Sequence, residues 1–321
     1  MKFHRKAFWL VLTMLVATGA WAQNATTKPL VLLLPVSSGT GGDIASRLIG
    51  PKLSARLGRP VIVENRVGAS GSIGIAAAAK SAPDGSTILI APSTMSMLPL
   101  LFKSVNWDPV NDFIPVARLV GSYLAVVVSP NLPANSMAEL VALARSKPGK
   151  LNYASPGVGT PQHLVAEMFK QATGVKITHI PYKTSAQAIT DLAGGQVEIG
   201  FFPLHGALPL VKAGKLRLLA TLSDTRTPWT PDVPTIREAG IESVFYNSWT
   251  AAFVPRHTPK EIVTKLSQDF LAILALPEMR EALLKDGMQA TPSGPDELAA
   301  MLKTDIGVWA KVIREAQIVA E

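Results

Sequence analysis

The amino-acid sequence predicts an α/β protein built as two units, each with a mostly parallel sheet. Three observations carry this expectation. Short apolar runs alternate with helical patterns along the chain. Roughly 300 residues remain after an N-terminal leader, a length that suits two domains. Loops rich in Gly, Ser and Thr recur at strand-to-helix junctions in both halves.

In chain order, Leu30 to Val36 reads as a buried strand, followed by the loop Ser37 to Gly42. Asp43 is an expected N-cap for a helix running to Leu57, which Pro51 should kink or shorten. Val61 to Glu64 is the second strand. The turn Gly68 to Gly71 leads into an Ala-rich helix ending near Ala82, and Thr87 to Ala91 is the third strand. This β-α-β-α-β order favours parallel pairing with right-handed crossovers. Val116 to Val120 and Leu124 to Val128 are β-like runs separated by Gly121-Ser122.

A second α/β series follows. Ser136 and Glu139 form a capping box for a helix ending near Ser146. Strands at Asn152–Ser155, Ile177–Ile180, Val197–Phe202 and Leu216–Leu222 alternate with helices at Pro161–Ala172, from Ser185 to the stop at Gly194-Gly195, and Ala207–Ala213. Thr225 to Pro234 reads as a surface loop and Trp249 to Val254 as a last strand. Three closing helices, Thr258–Leu274, Pro277–Lys285 and Pro295–Glu315, each carry Pro near the first turn and are expected to cover the first unit. The chain is expected to cross between units near Gly121-Ser122 and again near Tyr246–Ser248. That gives one lobe from 23–122 plus 248–321 and another from 123–247, with a hinged cleft between them.

The leader fixes the compartment. Lys2, His4, Arg5 and Lys6 form a basic head, Ala7 to Ala17 is apolar apart from Thr13, and Ala20-Trp21-Ala22 offers small residues for cleavage. This is the build of a secretory signal peptide over residues 1–22, cut after Ala22. Its apolar core is shorter than the ~20 residues of a membrane-spanning helix. The expected location is therefore the periplasm. Cysteine is absent, which excludes a lipid-anchored lipoprotein, thiol catalysis and thiolate metal sites. Cleavage removes Lys2, Arg5 and Lys6, so 31 basic residues become 28 against 23 acidic ones and the net charge falls from +8 to +5. The basic residues are scattered and aromatics make up only 6%, so no nucleic-acid footprint is present.

Three loops carry the functional signal: Pro35 to Asp43, Glu64 to Ser72 and Ser155 to Pro161. Each sets backbone N–H groups at a helix N-terminus, where the helix dipole also favours an anion. Glycine lets a ligand approach the backbone, and the hydroxyls add short donors. In open α/β sheets such loops lie beyond the carboxyl ends of the strands, where ligands bind. The alternative, that they are only tight turns, is less economical for three loops spread over two lobes. None contains Gly-Lys-Ser/Thr, and the spacing of a dinucleotide loop fails at Ile44. No histidines pair at zinc-ligand spacing, and Gly68-Ala69-Ser70-Gly71-Ser72 is not a nucleophile elbow. No catalytic residue, metal or cofactor is expected. His163, in the first turn of a helix, reads as a capping or packing residue. Lys183 reads as a solvated side chain.

The chain resembles the Bug-type receptors of tripartite tricarboxylate transporters over nearly its whole mature length. The resemblance is carried by Pro35 to Asp43 with Arg47-Leu48, Pro60 to Arg66 with Gly68 to Gly71, Ala82 to Gly85 and Asp112 to Ala117. It continues through Pro148 to Ser155, His179 to Lys183, Asp191 to Val197, Ala213 to Arg217 and Asp232 to Thr235. It implies a two-lobed, type II periplasmic-binding-protein fold that closes like a flytrap on a small carboxylate, acts as a monomer and delivers its ligand to a membrane permease. Carried over by position, first-lobe contacts come from Val36, Ser37, Ser38, Gly39, Ala69, Ser70 and Ser93. Second-lobe contacts come from Ser155, Gly159 and Thr160, with Tyr182 and Thr184 nearby. The chain departs from the family pattern at Val36, Ser37, Ser38 and Thr40, at Val67 and Ser70, and at Phe202, which stands where Asp is common. These changes point to an aromatic or apolar-bodied carboxylate. A sensory receptor using the same cleft stays open as an alternative, and a periplasmic hydrolase as a remote one.

Overall fold

A computed structural model of the protein describes residues 28–246 and 248–318. The proposed leader, 1–22, lies outside them. Two sheets organise these residues, and both are mixed. In the first, β1 (Leu30–Leu34) lies between β2 (Val61–Asn65) and β3 (Thr87–Pro92), parallel to both. β10 (Ser248–Pro255), β4 (Phe113–Ser122) and β11 (Gln289–Ser293) extend it by antiparallel pairing. The full order is β11-β4-β10-β3-β1-β2. In the second sheet, β6 (Asn152–Ser155) pairs in parallel with β7 (Thr178–Pro181) and β8 (Ile199–Pro203). β5 (Leu124–Val128) runs antiparallel to β8 and to β9 (Arg217–Thr221), giving β7-β6-β8-β5-β9.

The departure from mostly parallel sheets has a simple cause. The strands joined by helical crossovers are parallel, whereas the strands that enter from the other lobe arrive with reversed direction. β4 ends in the first sheet at Ser122 and β5 opens the second at Leu124; β9 leaves the second and β10 re-enters the first. Ser122 Oγ donates to Ser248 Oγ at 3.0 Å, so the two connecting segments touch.

Helices flank both sheets. α1 (Gly41–Leu57) packs Ala45, Ile49 and Leu53 on the first sheet together with α8 (Lys260–Ala275) and α9 (Pro277–Lys285). α1 continues through Pro51, which lies exposed, so the expected shortening does not occur. The other face is covered by α2 (Ser72–Ala79) and by Leu298 and Leu302 of α10 (Pro295–Glu315). The short α3 (Leu98–Leu101) follows a 3-10 turn at Ser93–Ser96. In the second lobe, α4 (Met137–Ser146) and α5 (Pro161–Thr173) cover one face of the sheet. α6 (Ser185–Ala193) and α7 (Leu204–Lys212) cover the other.

The closing helices do not all stay with the first lobe. α10 is amphipathic along its 21 residues, and its later turns bury Trp309, Val312 and Ile313 in the second lobe's core. Met97 and Leu101, at α3, join the same core. Asp305, midway along α10, accepts from Trp249 Nε1 at 2.6 Å. Among the described residues no helix is long and apolar enough to cross a membrane.

Candidate functional site

The first loop is organised by a buried carboxylate. α1 starts at Gly41, three residues earlier than an N-cap at Asp43 implies, so Asp43 lies in its first turn and is not the N-cap. Thr40 occupies the cap position, but its Oγ1 donates to the Ser37 carbonyl at 2.9 Å. Asp43 reaches back and accepts the Gly39 N–H at 2.9 Å, while Gly39 takes φ +80°. Arg47 Nε donates to both carboxylate oxygens at 3.1 and 3.0 Å, and Asn65 Nδ2 donates at 3.0 Å. Burial pushes the Asp43 carboxyl up, but the donors from Arg47, Gly39 and Asn65 outweigh it and hold it below the usual carboxylate range. Asn65 also donates to the Val36 carbonyl at 3.0 Å and accepts from Ser38 Oγ at 3.2 Å. One residue at the end of β2 thereby ties the first loop to the second.

The second loop is strained. Gly68, Ala69, Ser70 and Gly71 all have positive φ, at 128°, 46°, 55° and 100°. Left-handed backbone costs a non-glycine residue about 1–2 kcal/mol, and such strain clusters at ligand sites. Ala69 and Ser70 are exposed at the loop's crest. Gly74 explains how close the two loops lie: a Cβ there would stand 2.5 Å from the Arg66 carbonyl and 2.9 Å from Pro35 Cα. Ser93 is different. It is 1% exposed, and its Oγ lies 2.9 Å from the Tyr246 hydroxyl, so it joins the first lobe to the returning chain.

In the second lobe, Thr160 caps α5, accepting the His163 N–H at 3.4 Å and donating to the Gly157 carbonyl at 2.8 Å. Gly157 and Gly159 take φ +128° and +76°. Ser155 is fully buried; its Oγ accepts the Gly157 N–H at 3.1 Å and lies 2.7 Å from His179 Nε2. That separation suits a nucleophile and its base, but the burial and the loop bonds leave the hydroxyl no route to a substrate. His163 Nδ1 accepts the Gly159 N–H at 3.1 Å, a bond that the first-turn position alone could not reveal. Thr184 is exposed and caps α6 by accepting the Gln187 N–H at 3.2 Å. Tyr182 is half-buried beside it, its N–H donating to the Ser155 carbonyl at 2.9 Å.

Phe202 sits elsewhere. It is 1% exposed and packs with Ala125, Ala154 and Leu204 inside the second lobe. The aromatic ring thus serves the core, and the expectation of an extra aromatic surface at the ligand has no exposed atoms to rest on.

The lobes meet on both sides of the cleft. A Cβ on Gly159 would stand 3.1 Å from Leu101 Cδ1, which brings the second-lobe loop against α3. On the opposite side Gly287 packs on His205, and Trp229 Nε1 donates to the Leu284 carbonyl at 3.0 Å. Next to the His205 contact, a cavity of ≈ 450 Å³ lies at the ends of β1 and β3 and the start of β10, with Asp286 among its lining residues. Val36, Gly39 and Thr40 line it with Ile90, Pro92, Trp249, Thr250 and Met288 from the first lobe and His205 from the second. Of the residues that the sequence singled out as ligand contacts, Val36 and Gly39 line this cavity, and its other walls come from residues the sequence did not single out for binding. Ser122 and Ser248, which also line the cavity, lay at the expected crossovers; His205 and Met288 carried no signal.

A two-lobed α/β protein with a walled cleft and backbone-rich loops has the architecture of a solute-binding receptor. The chain belongs to the tripartite tricarboxylate transporter family receptor group, which it matches over residues 45–318. It is 32% identical to protein BugT of Bordetella pertussis over 302 residues, covering 94% of this chain and 93% of that one. Among solved structures, one from R. palustris with adipate is 34% identical with a TM-score of 0.78, covering 92% of this chain and 99% of its own. MatC from Rhodopseudomonas palustris, solved with bound malate, is 27% identical with a TM-score of 0.73 over 89% and 99%. The aliphatic sulphonate binding protein SsuA from Escherichia coli, at 14% identity and a TM-score of 0.54 over 91% and 88%, shares the fold.

Proposed function

We propose that the protein is a periplasmic receptor that closes two lobes on a small mono- or dicarboxylate and delivers it to the membrane permease of a tripartite tricarboxylate-type transporter. The carrying observation is the pair of first-lobe loops, one ordered by Asp43 and one strained through Ala69 and Ser70, together with a glycine-rich second-lobe loop that packs on Leu101 of the first lobe. Backbone N–H groups at helix starts favour a carboxylate without demanding a charged side chain. The adipate and malate held by two relatives are of this class. Residues 1–22 leave on export, and the chain passes between the lobes near 122 and 248, with the later turns of α10 packed into the second lobe's core. The mature chain works as a monomer and makes or breaks no bond.

In this reading Val36, Ser37, Ser38, Gly39, Ala69 and Ser70 receive one carboxylate, while Gly159, Thr160, Tyr182 and Thr184 close over the rest of the ligand. Ser93 and Ser155 act from beneath, by fixing the loops. The cavity toward Trp249 and Met288 takes the apolar body. A ligand that binds only the folded state raises the melting temperature. Ligand-stripped protein should therefore show a shift of several degrees with at least one member of a panel of aliphatic, aromatic and amino-acid carboxylates. Flat shifts across the panel at millimolar ligand would sink the reading.

A further inference from the structure

The second-lobe loop rests on a buried stack of three rings. Tyr153 of β6, His163 of α5 and His179 of β7 lie nearly parallel, with ring centroids 4.8 Å apart for Tyr153–His179 and 4.3 Å for His163–His179. Each histidine makes one bond to the loop above it. His163 Nδ1 accepts the Gly159 N–H, and His179 Nε2 lies 2.7 Å from Ser155 Oγ, which accepts the Gly157 N–H and donates to the Gly157 carbonyl at 3.0 Å. Gly157 and Gly159 are the two left-handed residues that give the loop its shape. The function described above uses the loop but gives these imidazoles no part.

The bond from Gly159 fixes the protonation of His163. Nδ1 can accept only if it carries no proton, so the ring is neutral with its proton on Nε2. A charged ring would set Nδ1–H against the Gly159 N–H, donor facing donor. Charging both rings would place two cations face to face at 4.3 Å. The groups facing the stack are few. On α5, Glu167 lies 4.0 Å from His163 Nε2, but it already accepts from the Tyr153 hydroxyl and is paired with Lys170 at 2.8 Å. On β6 and β7 the facing groups are Tyr153, Ser155 and the other histidine. Burial lowers His163 below the usual histidine range despite Glu167, and burial with His163 beside it lowers His179 to about 4.

We propose that His163, stacked on His179, is a positioning residue that shapes the ligand-closing loop Gly157–Thr160 only while uncharged, so that acid loosens the loop and weakens ligand capture. This rests on the reading that the loop meets the ligand. Its structural half is independent of that reading.

The test therefore has two arms on full-length mature protein. In the first, ligand-free protein is titrated by NMR from pH 7.5 to 4. The Gly159 amide signal should move with the imidazole signals of His163, at a midpoint below the ordinary histidine value. In His163→Asn, whose Oδ1 replaces the Nδ1 acceptor without titrating, the Gly159 amide should stay in place. A Gly159 amide indifferent to the His163 imidazole overturns the proposal, whatever the ligand does.

In the second arm, adipate binding is measured by calorimetry for wild type and the variant His163→Asn. The two should agree within about threefold at pH 7.5. On moving to pH 4.5 the wild type should lose roughly tenfold more affinity than the variant, as expected when binding opposes uptake of about one proton. Adipate's own protonation is common to both proteins and cancels in the ratio. An unchanged ratio overturns the acid effect. A failure of adipate to bind either protein counts against the carboxylate reading and leaves the first arm to decide the latch.

Discussion

Replacing Asp43 with alanine separates an ordered loop from an anchoring carboxylate. The carboxylate is 2% exposed and accepts from Gly39, Arg47 and Asn65. Hydrogen bonds to a charged group are each worth about 1.5–3 kcal/mol. Arg47 has a half-exposed side chain and can turn to water, so its share is discounted. The Gly39 N–H and Asn65 Nδ2 are left without their buried acceptor, which puts the loss near 3 kcal/mol. For a chain of this size that is a fall in Tm of about 5 °C. Asp43→Asn keeps an acceptor for Gly39 and should lose only about 1–2 kcal/mol. The pH dependence carries a definite sign. Asp43 is held below its unfolded value of ~3.9, so its stabilisation is present above that pH and is lost as pH falls through the lower folded value. Urea unfolding at pH 7 and pH 3 should show the gap between wild type and Asp43→Ala shrinking in acid. A loss under about 0.5 kcal/mol at pH 7 would refute the role given to the carboxylate.

Three further outcomes follow from backbone geometry. Ser70→Gly should stabilise the protein by about 0.5–1 kcal/mol in thermal unfolding, because φ 55° suits glycine; a loss of stability would contradict the strain. Gly74→Ala should cost at least about 1–3 kcal/mol, since the clashing Arg66 carbonyl and Pro35 Cα are backbone atoms that cannot swing away; near-neutral denaturation would count against the packing of the two loops. Gly287→Val sets a Cβ 2.5 Å from His205 Cβ and should weaken ligand affinity about tenfold by holding the lobes apart. Pairing it with His205→Gly should recover part of that loss in calorimetry; no recovery would place the effect in the local backbone alone.

Much of the fold is legible in the sequence because its strands are apolar runs and its helices carry their own end signals. Ser136 with Glu139, Thr160 before Pro161, and Gly174 and Gly58 in left-handed caps all act locally. What stayed hidden depends on distant partners. β11, Gln289–Ser293, contains Pro292 and no apolar run, and exists because it pairs with β4 at the sheet edge. The antiparallel pairing of β10 and β5 is set by the direction in which the chain returns, which no local pattern encodes. Asp43 reads as a cap from its neighbours, and only the fold reveals that Asn65 and Arg47 claim it too. Phe202 is singled out only by its place in the family pattern, where Asp is common, and its ring is buried because α6 and α7 cover that face of β8. His163 and His179 are 16 positions apart in sequence and meet because β7 pairs with β6.

The central claim is that a carboxylate is held by backbone groups of both lobes. A crystal structure of the mature protein with its co-purified or added carboxylate tests this most directly. The account predicts density for a carboxylate within hydrogen-bonding distance of the Ser37–Gly39 and Ala69–Ser70 backbone, with the Gly157–Thr160 loop closing over its other end. Density bound outside the cleft, or held by one lobe with the opposing loops untouched, would contradict it.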